Sequence, residues 1–166
     1  MAELSPILPA ALGGAAATRL APTPDSWTEP FWQAARERRL AIQCCQECDS
    51  LQHPPGLMCR HCGASQLGYR DVSGRGELYS FTVSEQSFVP GFEDALPLAI
   101  GLVELVEQEG VRLLSNLLVD DPDRLRVGIA LRVCFEPIAD GYVLPQFEPS
   151  EGDESPARVS APEPNG

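Results

Sequence analysis

Four of the six cysteines stand as two Cys-x2-Cys pairs, Cys45/Cys48 and Cys59/Cys62, with ten residues between the pairs. Thiolates are soft ligands. Two tight turns, each offering a pair of them, can supply the corners of a tetrahedron around one ion. Disulfides are not expected in a chain read as cytoplasmic, so the doubled pair reads as a structural zinc site of one ion. Iron in a rubredoxin-like site is the competing metal, because four thiolates suit both. Cys44 adjoins Cys45, but its spacing to Cys48 is one residue too long for a knuckle, and it is read as a non-ligand. His53 and His61, the only histidines, fall inside the same segment and are not needed as ligands. Four thiolates leave no open position for water or substrate, so this centre is architecture, not a Lewis acid.

No catalytic set is legible elsewhere. With both histidines tied to the cysteine segment, no Ser-His-Asp or Cys-His pairing can be drawn. Cys134, the lone cysteine outside the cluster, alternates with Arg132 and Glu136 and has no adjacent base, so it is read as inert.

The elements that must position the cluster follow from periodicity. Residues 25–73 are expected to form an N-terminal helix, over about residues 28–39, and the metal ribbon. Asp25, Ser26 or Thr28 can cap the helix, Pro30 suits its first turn, and Phe31, Trp32, Ala35 and Leu40 recur near helical spacing. From Gly74 the period changes to two. Tyr79, Phe81 and Val83 alternate with Ser80, Thr82 and Ser84, giving a stripe suited to a core. The segments "PLAIGLVELV" and "VRLLSNLLV" follow, joined by a turn in "EQEG". "DDPDRL" supplies one helical turn, "IALRVCFE" alternates again, and "YVLPQF" makes a short last strand. Five strands with a small helix between the third and fourth, over residues 74–148, is the order of an OB-fold barrel. The fold class is thus mainly β. Residues 1–24, rich in Ala, Pro and Gly, and 149–166, acidic and Pro-rich, read as a disordered leader and tail. The leader lacks a basic start and carries Glu3, so it is not read as a signal peptide, and no apolar run reaches the ~20 residues of a membrane helix.

Charge narrows the partners. The net charge is −12, and every basic residue is arginine. Between Gly74 and Phe147 five arginines face twelve acidic residues. A single-stranded nucleic-acid-binding barrel, which would stack bases on Tyr79 and Phe81, is the alternative reading, but it calls for a basic stripe that is missing. A stand-alone thioesterase or hydrolase lacks its catalytic set. Candidate binding features are Phe31 and Trp32 on the helix, Phe88 and Phe92 on the loop after the first barrel strand, and Arg75 and Arg112, which could meet phosphates. Gly74 and Gly76, in "GRG", are expected to allow a sharp turn from ribbon to barrel.

The helix with "FW", the four cysteines, "PP" before the second knuckle, "GRG", "DPDRLRVG" and the ending "LPQF" together resemble the zinc-ribbon plus OB-fold family called domain of unknown function thirty-five, over roughly residues 27–148. Three positions depart from its pattern. Asp49 stands where glycine is usual after the first knuckle, Cys44 where a basic or polar residue is common, and Leu98 where an aromatic often follows the proline. The resemblance implies an accessory subunit that binds or channels acyl-CoA and supports a thiolase-like or enoyl-CoA hydratase partner. The setting it implies is lipid, steroid, polyketide-type or isoprenoid-precursor metabolism.

Overall fold

The computed structural model describes residues 21–86, 96–138 and 141–150. Phe88, Phe92 and most of the expected leader and tail lie outside these. Among the described residues one helix, α1 (Glu29–Arg36), is followed by eight strands. Asp25 builds the entry to α1: its carboxylate accepts from the backbone N–H groups of Trp27 and Thr28 and from the Thr28 hydroxyl. Pro30 sits in the first turn, as expected. The helix ends three residues short of the expected 39 because Arg38 takes the left-handed conformation (φ 57°). The N–H groups of Arg38 and Arg39 then bond back to the carbonyls of Ala35 and Ala34, the paired closure of a Schellman end.

Strands β1 (Leu40–Cys45), β2 (Leu51–Gln52) and β3 (Leu67–Val72) make an antiparallel sheet in the order β2-β1-β3. β1 is central and wholly buried. Its alternate side chains serve two purposes. Leu40, Ile42 and Cys44 enter the main hydrophobic cluster, whereas Cys45 belongs to the cysteine group. Adjacent positions on one strand therefore separate the core thiol from the metal-facing one.

The barrel strands are β4 (Arg75–Ser84), β5 (Leu98–Leu105), β6 (Arg112–Asn116), β7 (Ala130–Pro137) and β8 (Val143–Pro149). They form an antiparallel sheet in the order β6-β5-β4-β7-β8, and its two outer strands meet in parallel at Leu117 and Phe147, so the barrel is nearly closed. Leu118 N–H bonding the Phe147 carbonyl at 2.8 Å reinforces that seam. The expected small helix is a single 3-10 turn, Pro122–Arg124, capped by the Asp121 carboxylate on Asp123 N–H. Burial alternates without exception along β5. Leu78, Val103, Leu131 and Phe147 fill the barrel centre, in one cluster with Ile42 and Leu51 of the ribbon.

The stripe expected on β4 is broken. The register shifts between Leu78 and Ser80, so Tyr79 is the extra residue of a β-bulge. Leu78 takes the core position and Tyr79 is left 48% exposed, while Phe81 and Val83 still pack on the core. Gly74 has φ +74°, and a Cβ there would lie 2.2 Å from Val133 Cγ1, so it does make the ribbon-to-barrel turn. Gly76 serves otherwise: a Cβ there would meet the Glu104 carbonyl at 2.6 Å, so its role is close approach to β5. Among the described residues no helix is long and apolar enough to cross a membrane.

Candidate functional site

The two Cys-x2-Cys segments fold into matching knuckles. In the first, Asp49 N–H returns to the Cys45 carbonyl at 3.1 Å; in the second, Gly63 N–H returns to the Cys59 carbonyl at 2.9 Å. The residue after each second cysteine is left-handed, Asp49 at φ 59° and Gly63 at φ 78°. Aspartate is among the few non-glycine residues that tolerate this region, which explains how it stands where glycine is expected.

The knuckles bring all four sulfurs within 4.8 Å of one another. Cys45 and Cys62 lie 3.7 Å apart and Cys48 and Cys59 3.6 Å. Disulfides need about 2.05 Å, whereas sulfurs at ~2.3 Å from a tetrahedral zinc are ~3.8 Å apart. The donor set fits a four-thiolate metal centre. Cys45 and Cys59 are buried and Cys62 is exposed, so the centre sits at the surface of the ribbon. The surroundings divide the thiols: although the Ala64 backbone bond lowers it, the Cys48 side chain, burial and the other two sulfurs push Cys62 up to about 12, whereas Cys48 and Cys59 are lowered. Hydrogen bonds from the Ser50 side chain and backbone draw Cys48 down to about 6, and the backbone N–H groups of Cys62 and His61 lower Cys59. Cys44 behaves oppositely: burial raises its pKa, and its thiol reaches the Asp49 carbonyl at 3.6 Å.

Neither histidine joins the cysteine group. His53 stacks against Phe31, ring centroids 5.5 Å apart, and burial, then the Arg60 charge, lowers its pKa to about 4. Burial followed by the Glu148 carboxylate pushes Cys134 up to about 12, the reverse of an activated nucleophile.

Two buried glutamines hold the loop before the second knuckle. Gln43 bonds both backbone groups of Gly56, and Gln52 bonds Gln43 Oε1, the Met58 carbonyl and Arg60 N–H. Sequence reading missed them, although a glutamine inside "LAIQCC" is a polar residue at a position the strand buries. Gln108 in the β5–β6 turn pairs with both backbone groups of Leu51, and Glu107 beside it accepts Ser73 N–H at 2.6 Å. The "EQEG" turn thus fastens the barrel to the ribbon.

The remaining candidates separate. Phe31 and Trp32, edge to face at 5.1 Å, line a cleft of about 490 Å³ between α1, the bend at His53 to Pro55, and strands β6 and β8. Arg75 and Arg112 do not line it. Arg75 is exposed at the start of β4. Arg112 is engaged twice, by Glu104 at 2.7 Å and by the Tyr79 ring at 3.5 Å. A guanidinium between a carboxylate and an aromatic face has fewer donors left for a phosphate, the contact its sequence reading offered it.

Residues 32–68 match a family described as "ChsH2, rubredoxin-like zinc ribbon domain", and residues 69–136 match "ChsH2, C-terminal OB-fold domain". The chain is 38% identical over 121 residues to a probable enoyl-CoA hydratase alpha subunit of Thermomonospora curvata, covering 72% of this chain and 37% of that protein. It therefore spans little more than a third of the length of that relative. It is 27% identical over 97 residues to a DUF35 domain-containing scaffold protein of Methanothermobacter thermautotrophicus, covering 58% of this chain and 71% of the other. Among solved structures, a chain of one described as "Ltp2-ChsH2(DUF35) aldolase" superposes with a TM-score of 0.70 at 35% identity, covering 78% of this chain and 98% of that one.

Proposed function

Because the chain belongs to the ChsH2-type zinc-ribbon and OB-fold family, that of domain of unknown function thirty-five, we propose that it is a non-catalytic subunit of an acyl-CoA enzyme complex. It supports a thiolase-like partner (an acyltransferase or aldolase) or an enoyl-CoA hydratase, and binds or channels the acyl-CoA. The setting is lipid, steroid or polyketide-type metabolism. The observation that carries this reading is the match of 78% of this chain to 98% of a chain from a structure described as "Ltp2-ChsH2(DUF35) aldolase".

The residues agree with an assisting role. Cys45, Cys48, Cys59 and Cys62 would hold one zinc ion, whose four-sulfur sphere is closed and supplies folding energy, not reactivity. Among the described residues Cys134 has acidic neighbours and a raised pKa, and His53 is half-buried with its ring against Phe31. Neither is set up as nucleophile or base.

Co-expression with the thiolase-like or hydratase protein encoded nearest the gene tests the reading. The expected result is a stoichiometric complex on size exclusion, with partner activity or solubility raised. A free, monodisperse chain that leaves partner activity unchanged would refute it, as would turnover of acyl-CoA thioesters by the metal-replete chain alone.

A further inference from the structure

The four sulfurs of the cysteine centre differ in what can reach them. Cys45 and Cys59 are 0% and 4% exposed, Cys48 is half-buried, and Cys62 is open to solvent. Ligation to a metal deprotonates every coordinating thiol. With all four held as thiolates, access decides which one an oxidant meets first, and that one is Cys62. Facing it across the site at 3.7 Å is the sulfur of buried Cys45. Half-buried Cys48 stands against buried Cys59 in the same way, at 3.6 Å. Each of these pairs takes one cysteine from each knuckle. A reachable thiolate with a second sulfur in contact behind it is the arrangement in which oxidation runs on to a disulfide. The other two thiols are set apart: Cys44 packs in the hydrophobic core, and Cys134 lies on β7 of the barrel.

We propose that the cysteine centre is an oxidation site as well as a clip, entered at Cys62 and closed by disulfides that join the two knuckles, Cys45 to Cys62 and Cys48 to Cys59. The oxidant is a hydroperoxide, and hydrogen peroxide balances the step. The Cys62 thiolate attacks one peroxide oxygen, the O–O bond breaks, hydroxide leaves, and Cys62 carries a sulfenic acid. The Cys45 thiolate then attacks that sulfur, forming the S–S bond and expelling a second hydroxide. Cys48 and Cys59 consume a second peroxide by the same two bond changes. Four sulfurs are oxidised, two peroxides are reduced, and no thiolate is left to hold an ion. Both new bonds run between the knuckles, so they tie together the segments that the metal tied. The oxidised chain gives up its ion without giving up the ribbon.

The test treats the full zinc-loaded chain with hydrogen peroxide, follows released zinc with a chromogenic chelator, and maps the peptides without reduction. About one zinc per chain should come free. Thiols counted after denaturation should fall from six to the two of Cys44 and Cys134. A dimedone adduct trapped early should sit on Cys62, and the linked peptides should carry Cys45–Cys62 and Cys48–Cys59. Cys44→Ser and Cys134→Ser should release zinc at the wild-type rate, since neither residue belongs to the centre. The oxidised chain should keep a cooperative thermal transition, and dithiothreitol with added zinc should restore the starting protein. Disulfides within a knuckle, Cys45–Cys48 or Cys59–Cys62, would overturn the proposal. So would a first adduct on Cys44 or Cys134, zinc retained with all the thiols intact, or a transition lost once both disulfides are in place. The mapping is done on the wild type, so it decides the matter even if a serine variant does not fold.

Discussion

Gln108 pairs with the backbone of Leu51 as a neighbouring strand would: its Oε1 accepts Leu51 N–H at 2.8 Å and its Nε2 donates to the Leu51 carbonyl at 3.0 Å. One side chain from the barrel hairpin thus completes the short ribbon strand β2, fifty-seven residues away in sequence. The two modules are joined by this amide and by a shared apolar cluster, in which Leu51 also sits. Gln108→Ala leaves two partly buried backbone groups without these bonds, so it should lower stability by about 2 kcal/mol. Urea unfolding of the metal-loaded chain measures this, and metal content should not change. A loss under a few tenths of a kcal/mol would mean that water replaces the amide fully.

Metal removal should be felt in the barrel as well. Leu40, Ile42 and Leu51 of the ribbon belong to the same cluster as Leu78, Leu131 and Phe147, so loosening the knuckles uncovers barrel core. Chelation, or Cys45→Ser together with Cys59→Ser, should abolish the single cooperative thermal transition. Elemental analysis should find one zinc per wild-type chain, and a coloured protein would show iron instead. Cys44→Ser is the control. Cys44 faces the core and not the four-sulfur group, so this variant should keep its metal and lose only about 1 kcal/mol.

How much of this was legible beforehand depended on distance along the chain. The knuckles are local, and spacing alone announced them, even with Asp49 in the left-handed position of Gly63. Strand periodicity points to the barrel, but a bulge is invisible to a strict period of two, which is why Tyr79 reads as one of a stripe suited to the core and yet lies outside it. Gln108 reads as an ordinary turn residue until β2 is placed beside it. Arg112 reads as a free cation until Glu104 and Tyr79 are placed on either side of it. Gln146 Oε1, buried without a hydrogen-bond partner among the described residues, is likewise a fact of packing, since β8 buries both Gln146 and its neighbour Phe147.

His53 should make the fold acid-sensitive. Burial against Phe31, and then the nearby Arg60, lowers its pKa from 6.5 to about 4. In the unfolded chain it takes a proton near pH 6.5, so below that pH the unfolded state binds more protons than the folded one. Its contribution is complete above pH 6.5, declines as pH falls toward 4, and is flat below that. A shift of this size corresponds to about 3 kcal/mol. Urea unfolding of wild type and His53→Leu across pH 4–7 isolates it from the carboxylates that titrate in the same range. The wild type should lose that much more stability than the variant on acidification, and parallel pH profiles would place His53 in contact with solvent.

Arg38 offers a test of opposite sign, a substitution that should stabilise. It closes α1 in the left-handed region at φ 57°, the position after a helix that glycine occupies most readily. Among the described residues its side chain makes no ion pair, whereas its neighbour Arg39 pairs with both Glu37 and Asp71. Arg38→Gly therefore relieves the left-handed strain of a residue with a Cβ, about 1 kcal/mol, without removing an ion pair among the described residues. Part of that gain is offset because glycine has more freedom to lose on folding. The net expectation is a gain of about 0.5 kcal/mol, read as a higher urea midpoint at unchanged slope. Arg39→Gly, at an ordinary backbone position with two ion pairs, should lower the midpoint. If both variants were equally destabilised, the closure of the helix would depend on arginine itself and not on the turn it makes.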